Sequence, residues 1–243
     1  MSNKTIEQLN SQLQEASLEE ALKAVAEEFA GQKVAFSTSL GLEDQVITDV
    51  IFKNNLDIEV FTLDTQRLFP ETETLINDTE SKYGKTITRL LPQAEAVEIY
   101  VSEVGLNGFY ESIENRKRCC GIRKIEPLNR ALKDVAVWIT GLRQEQSQFR
   151  SSVSLFETDS DRDIIKFNPL ANWTTADLWQ HIEQFEVPFN SLHKKGYPSI
   201  GCEPCTRAIK PDEDERAGRW WWENQDATKQ ECGLHISGLK NDN

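Results

Sequence analysis

The chain reads as an α/β protein with a mostly parallel sheet and helices on both faces. Three observations predict this. Short apolar runs of strand character alternate with stretches of helical period. Three such runs end in loops, Ser37 to Gly41, Asp64 to Arg67 and Gly141 to Arg150, and ligands bind beyond the C-terminal strand ends of such sheets. A length of 243 residues is enough for one sizeable core, or one α/β domain with a small appendage.

The elements follow in order. Leu18, Ala21, Leu22, Val25 and Phe29 recur at helical spacing, and Ser17 with Glu20 forms a capping box. Val34–Phe36 is a short strand candidate running into Ser37-Thr38-Ser39-Leu40-Gly41. Leu42, Val46, Ile47, Val50 and Ile51 share one helical face, and Ile58–Leu63 is the next strand, ending at Asp64-Thr65. Helix is expected over 71–83, strand over 86–91, helix over 94–104, helix over 122–132 and strand over 135–140. Beyond Arg150 the pattern weakens, leaving one helix over 175–185 capped by Thr174 and a loop over 188–205 rich in Pro, Gly and Lys. The expected organisation is a single domain: an N-terminal helical segment at 1–30, a core at 31–222 and a polar, mobile tail at 223–243.

Composition narrows the function. Hydrophobic residues make up 38% and charged residues 28%, ordinary soluble usage. No apolar run reaches the ~20 residues that span a bilayer, and the polar start MSNKTIEQLN has no signal-peptide pattern. A cytoplasmic protein with no membrane partner is expected. A formal net charge of −13 argues against nucleic acid, which needs a basic footprint. The basic residues nevertheless gather beside cysteines: Arg116, Lys117, Arg118, Arg123 and Lys124 around Cys119-Cys120, and Lys194, Lys195, Arg207, Lys210, Arg216 and Arg219 around Cys202 and Cys205. Such clusters in an acidic chain suit a site for a small anion; singly, each Lys reads as a solvated surface residue.

The five cysteines are an odd number and read as metal ligands or reactive thiols. Cys119-Cys120 and Cys202-x-x-Cys205 form two tight pairs that suit an iron–sulfur cluster or a structural zinc. Adjacent cysteines reach separate iron corners of a cubane more easily than they converge on one ion, so spacing favours the cluster over zinc. Cys232 stands apart in Glu231-Cys232-Gly233-Leu234-His235. Its thiolate would be the reactive form, raised by a nearby cation.

Together, Cys-Cys, Cys-x-x-Cys and the terminal Glu-Cys-Gly-Leu-His resemble the assimilatory sulfonucleotide reductases, and among them the cluster-bearing adenylyl-sulfate reductases. The likeness runs from about Val34 to His235. It implies an adenine-nucleotide α-hydrolase-like fold, similar to the ATP pyrophosphatases, and a 4Fe-4S cluster on Cys119, Cys120, Cys202 and Cys205. It implies that Cys232 attacks the sulfur of adenylyl sulfate, releasing AMP, and that thioredoxin or a similar dithiol then frees sulfite. The phosphosulfate-binding residues it carries over are Lys124, Arg143, Arg150, Arg216, Arg219 and His235, cations suited to offset anionic repulsion. Ser37, Ser39 and Gly41 take the place of a pyrophosphate loop, but depart from the Ser-Gly-Gly-x-Asp-Ser form, which fits a ligand with one phosphate and one sulfate. Leu63, Asp64 and Thr65 would meet the adenosine, and Gly141 opens the third loop. Relatives form homo-oligomers, so the same is expected here.

Three readings compete. Reduction of the 3′-phosphorylated substrate, PAPS, alone or with dual specificity, is the nearest, though reductases that prefer PAPS typically lack both cysteine pairs. A pyrophosphatase-like adenylating or sulfur-transferring enzyme and a zinc-stabilised binding module are the others.

Overall fold

A computed structural model gives the structure of the chain and describes residues 5–146 and 150–223. Cys232, His235 and most of the expected tail lie outside the described residues.

Eight α-helices and six strands form the main elements of the described residues. They are α1 (Ile6–Leu13), α2 (Leu18–Glu28), β1 (Lys33–Thr38), α3 (Leu42–Lys53), β2 (Glu59–Leu63), α4 (Pro70–Tyr83), β3 (Thr88–Leu90) and α5 (Ala94–Val104). Then come α6 (Ile113–Cys120), α7 (Glu126–Ala131), β4 (Val135–Ile139), β5 (Phe156–Asp159), β6 (Ile164–Phe167) and α8 (Thr175–Gln184). The sheet order is β3-β2-β1-β4-β6-β5. β1 pairs in parallel with β2 and with β4, β4 in parallel with β6, and β5 antiparallel with β6. The mostly parallel sheet expected from the alternation is therefore present.

Local chemistry explains the boundaries. Ser17 caps α2 by accepting the Glu20 N–H while the Glu20 carboxylate accepts from Ser17; Thr174 and Asp177 do the same for α8. Each box satisfies amides that have no partner within the helix. Thr5 and Gln8 make a third box for α1, a helix too short and polar to stand out by period. The β5–β6 hairpin also went unread, because its strands have four residues each and lack clean alternation.

Residues 113–131 depart from the expected single helix over 122–132. Helix starts earlier, at Ile113, under a Ser112 cap. Between α6 and α7 it widens into one π-helical turn over Gly121–Ile125, immediately after Cys119-Cys120. Such turns shift the helical register and are common where side chains are aimed at a site.

The chain separates into two compact units, one drawn from Met1–Thr62, Pro70–Thr88 and Asp134–Ser191, the other from Leu63–Phe69, Arg89–Lys133 and Leu192–Asn243. The first holds a core in which Leu22, Val25, Phe36, Val46, Ile47, Val137, Ile139, Phe167 and Leu178 are buried. The second buries Tyr100, Phe109, Leu128, Leu132 and Trp220.

Candidate active site

In the first unit, β1 delivers Ser37, Ser39 and Gly41 to the start of α3. The Ser37 hydroxyl accepts the Trp138 indole N–H at 2.8 Å. Leu40 turns the chain with φ 62°, a strained conformation for a branched residue, and its side chain is buried. Gly41 precedes α3 and supplies no side-chain cap. Asp44, in the first turn of α3, reaches back into the preceding loop, where its carboxylate accepts the Ser39 N–H at 2.5 Å. Burial pushes the Asp44 carboxyl up to about 7, with Glu43 adding to the effect; Ser39 and Arg150 oppose it.

The 141–146 loop is fastened to the same helix start. A Cβ on Gly141 would lie 2.1 Å from Asp44 Oδ1 and 3.0 Å from Glu43 Cβ, so only glycine fits. Arg143 is buried, and its guanidinium donates to Glu43 at 2.9 Å, Glu145 at 2.9 Å, the Trp173 carbonyl at 3.0 Å and Thr175 at 3.3 Å. Gln146 donates to Glu43 at 2.8 Å and to the Gly141 carbonyl at 3.1 Å. Arg150 donates to Gln146 Oε1. Arg143 is thus engaged in holding loop and helix together, while Arg150 stands at the edge of this network.

The second unit gathers all four described cysteines, each a free thiol. Cys119 and Cys120 close α6, and Cys202 and Cys205 flank a tight turn in which the Cys205 N–H donates to the Cys202 carbonyl at 3.0 Å. Consecutive residues on a helix point roughly 100° apart, so Cys119 and Cys120 do not aim at one point. Cys119, Cys202 and Cys205 still feel one another. Burial, together with charge on Cys202, pushes Cys205 up to about 12. Burial also raises Cys119, opposed first by Arg123. Cys202 goes the other way: burial would raise it, but Lys124, a Thr65 hydrogen bond, Arg219 and Arg123 outweigh that and bring it below the usual thiol range.

The cations of this unit are built in. Arg123 is buried and donates to the Thr65 carbonyl at 2.8 Å. The Thr65 hydroxyl lies 3.2 Å from Cys202 Sγ. Asp64, at the end of β2 after Leu63, accepts the Gln66 N–H at 2.9 Å and faces Arg89 at 3.8 Å. Arg219 donates to Ser199 at 3.2 Å and stacks 4.9 Å from the Trp220 ring. Its guanidinium lies where a Cβ of Gly201 would be, 2.3 Å away. Arg216 offers its carbonyl to the Arg219 N–H at 2.8 Å.

Arg116 joins the Glu223 carboxylate to Cys120, which also takes a hydrogen bond from it. It pairs with Glu223 at 2.6 Å and 2.9 Å and lies 4.6 Å from the Trp220 ring.

The sequence-derived residues therefore fall into two groups. Ser37, Ser39, Gly41, Gly141, Arg143 and Arg150 belong to the first unit, and Leu63, Asp64, Thr65, Lys124, Arg216, Arg219 and the four cysteines to the second. Glu43 and Asp44, the acid pair directly after Gly41-Leu42, were not singled out; their position in the first turn of a helix was the available signal. Arg123 was noted only as one of a cluster.

The donor set has the chemistry of a thiolate metal centre. Among the described residues, no three His, Cys, Asp or Glu side chains close around a point that would hold a single ion. Four thiols in one unit match the ligand count of an iron–sulfur cluster. Arg219 Nε is a buried donor with no partner among the described residues; the guanidinium acts on Cys202 and Cys205, and a sulfur acceptor there would satisfy it.

A mostly parallel sheet with strand-end loops at a helix start has the adenine-nucleotide α-hydrolase-like α/β fold; yeast FAD synthetase shares the fold, with a TM-score of 0.53 at 16% identity over 86% of this chain and 70% of that one. The chain belongs to the phosphoadenosine phosphosulfate reductase domain family, whose model matches residues 33–208. It is 54% identical over 207 residues to the adenosine 5′-phosphosulfate reductase of Burkholderia cepacia, covering 85% of this chain and 82% of that one. It is 49% identical over 221 residues to the protein of that name from Allochromatium vinosum, covering 91% and 85%. The phosphoadenylyl-sulfate reductase structure from Candida auris, a phosphate complex, superposes with a TM-score of 0.70 at 31% identity, covering 84% and 96%.

Proposed function

We propose that the chain reduces adenylyl sulfate to sulfite and AMP, in the assimilation of sulfate. The observation that carries this reading is 54% and 49% identity, over most of the chain, to relatives named as adenosine 5′-phosphosulfate reductases. The thiols of Cys119, Cys202 and Cys205, set among Lys124, Arg123 and Arg219, support it.

In this reading the Cys232 thiolate attacks the sulfur of adenylyl sulfate. A new S–S bond forms, the S–O bond to the phosphate breaks, and AMP leaves with the electron pair. An external dithiol, thioredoxin or one like it, attacks Cys232 and expels sulfite. Its second thiol then closes a disulfide and returns Cys232 to the thiol, so the dithiol supplies both electrons. Lys124, Arg150, Arg216, Arg219 and His235 offset the repulsion between thiolate and anion and stabilise the departing phosphate. Ser37, Ser39 and Gly41 receive the phosphate end, and Leu63, Asp64 and Thr65 the adenosine. Arg143, saturated by Glu43, Glu145 and two further acceptors, shapes the Gly141 loop.

Cys119, Cys120, Cys202 and Cys205 would hold a 4Fe-4S cluster. Bound there, it would supply a fixed electrostatic field beside the anion site. A cytoplasmic, homo-oligomeric protein fits this function. Among the described residues no helix is long and apolar enough to cross a membrane.

PAPS is the second reading, supported by the 31% identity to a PAPS reductase. Competition between the two substrates at equal concentration tests it. Preferential sulfite release from adenylyl sulfate supports the first reading, and preference for PAPS replaces it. Iron and acid-labile sulfide in an anaerobically purified brown protein support the cluster; a colourless zinc protein contradicts it.

A further inference from the structure

The loop assigned above to the nucleotide's phosphate end carries a carboxyl group of its own. Asp44 sits in the first turn of α3, and its carboxylate takes the Ser39 N–H at 2.5 Å. In loops of this kind such amides face the ligand's oxygens; here one is already occupied by a side chain. The arrangement is built rather than incidental. Asp44 is buried, a Cβ at Gly141 would lie only 2.1 Å from its Oδ1 so that glycine alone leaves it room, and Glu43 beside it is locked onto Arg143 and Gln146. The charged groups that act on the Asp44 carboxyl are Glu43 from its own helix and Arg150 from the loop after β4, with Ser39 as its hydrogen-bond donor from the loop after β1.

We propose that Asp44 is a specificity-determining residue. Its carboxylate, when ionised, places a negative charge at the strand-end loop, which lets the loop accept a nucleotide ending in sulfate and disfavours the isosteric diphosphate. The inference rests on the sulfonucleotide reading above. Adenylyl sulfate and ADP have nearly the same shape, so contacts alone separate them poorly. They differ in charge: a sulfate group carries one negative charge, whereas a terminal phosphate carries most of a second at neutral pH. An ionised carboxylate at the loop penalises that extra charge, and shape complementarity does not. Asp44 acts through charge and through the Ser39 amide it holds, without entering the chemistry. Because burial raises this carboxyl to about 7, the discrimination is strongest above neutrality and fades as Asp44 takes up a proton.

The test compares dissociation constants for adenylyl sulfate and ADP in the Cys232→Ser background, which keeps the sulfonucleotide intact, with and without Asp44→Asn. At pH 8.5 the Asn variant is expected to gain ADP affinity relative to adenylyl sulfate by roughly tenfold, the scale of one unit charge acting across several ångströms near a protein surface. At pH 6 the two proteins converge. The ADP phosphate titrates in both, so their difference isolates Asp44. Should Asp44→Asn fail to fold, Asp44→Ser removes the same charge with a smaller side chain. An unchanged ratio at pH 8.5, or an equal loss of both ligands, overturns the proposal. Failure of the parent protein to bind adenylyl sulfate at all would overturn the sulfonucleotide reading itself, and the inference with it.

Discussion

The hydroxyl of Thr65 lies 3.2 Å from the sulfur of Cys202, and the Thr65 carbonyl accepts from the buried Arg123 at 2.8 Å. One residue at the end of β2 thereby joins the loop assigned to adenosine with the thiols assigned to the cluster. Hydrogen bonds to a ligating sulfur stabilise its thiolate form. Thr65→Val is expected to lose iron to a chelator at least several-fold faster than wild type, while Thr65→Ser holds it. Equal loss rates in all three proteins would show that the hydroxyl does not support the thiolate.

The Arg116–Glu223 pair is buried on both sides, with side-chain exposures of 1% and 7%. Removing one partner strands a charge in a low-dielectric surround, which typically costs ~3 kcal/mol or more. Glu223→Ala is expected to lower unfolding stability by about that amount in chemical denaturation. A change below ~1 kcal/mol would mean that water reaches Arg116.

Asp44 makes stability depend on pH in a direction opposite to a salt-bridged carboxylate. Its folded pKa, about 7, is above the ordinary 3.8. Its contribution is therefore full below the unfolded value and is lost as pH rises through 7. Asp44→Asn removes this slope. Between pH 4 and pH 8 the variant should gain on wild type by ~4 kcal/mol at most, read from denaturation curves at each pH. Parallel curves would show that the carboxyl titrates normally.

Arg143 fastens the Gly141 loop to the start of α3 through Glu43, whose side chain is 17% exposed. Arg143→Ala leaves Glu43 half-paired, and Gln146 alone does not neutralise it. Partial exposure of Glu43 and the exposure of Glu145 discount the loss to ~2 kcal/mol. Arg143→Lys keeps the charge but not the fork, and is expected to restore only part of that. Full recovery with Lys would show that charge alone matters.

Much of this architecture was legible because local and global signals agree. The Ser17 and Thr174 boxes mark α2 and α8, and apolar runs of strand length mark β1, β2 and β4. The hairpin of β5 and β6 was not legible, since four-residue strands carry too few alternations to establish a period. The π turn at Gly121–Ile125 was hidden because its residues read as ordinary helix. At the site, residue types exposed the cysteines and the cations. Only coordinates reveal that Arg143 and Arg116 are committed to carboxylates, or that Asp44 folds back on Ser39. Those roles depend on which partner each charge meets, and sequence spacing does not carry that.

The central claim is tested most directly by anaerobic turnover of adenylyl sulfate with reduced thioredoxin, comparing wild type with Cys232→Ser at equal iron content. Sulfite from wild type and none from the variant is the predicted result. Sulfite from both would place the nucleophile elsewhere, and sulfite from neither, with fold and iron intact, would contradict the reduction of adenylyl sulfate by this chain.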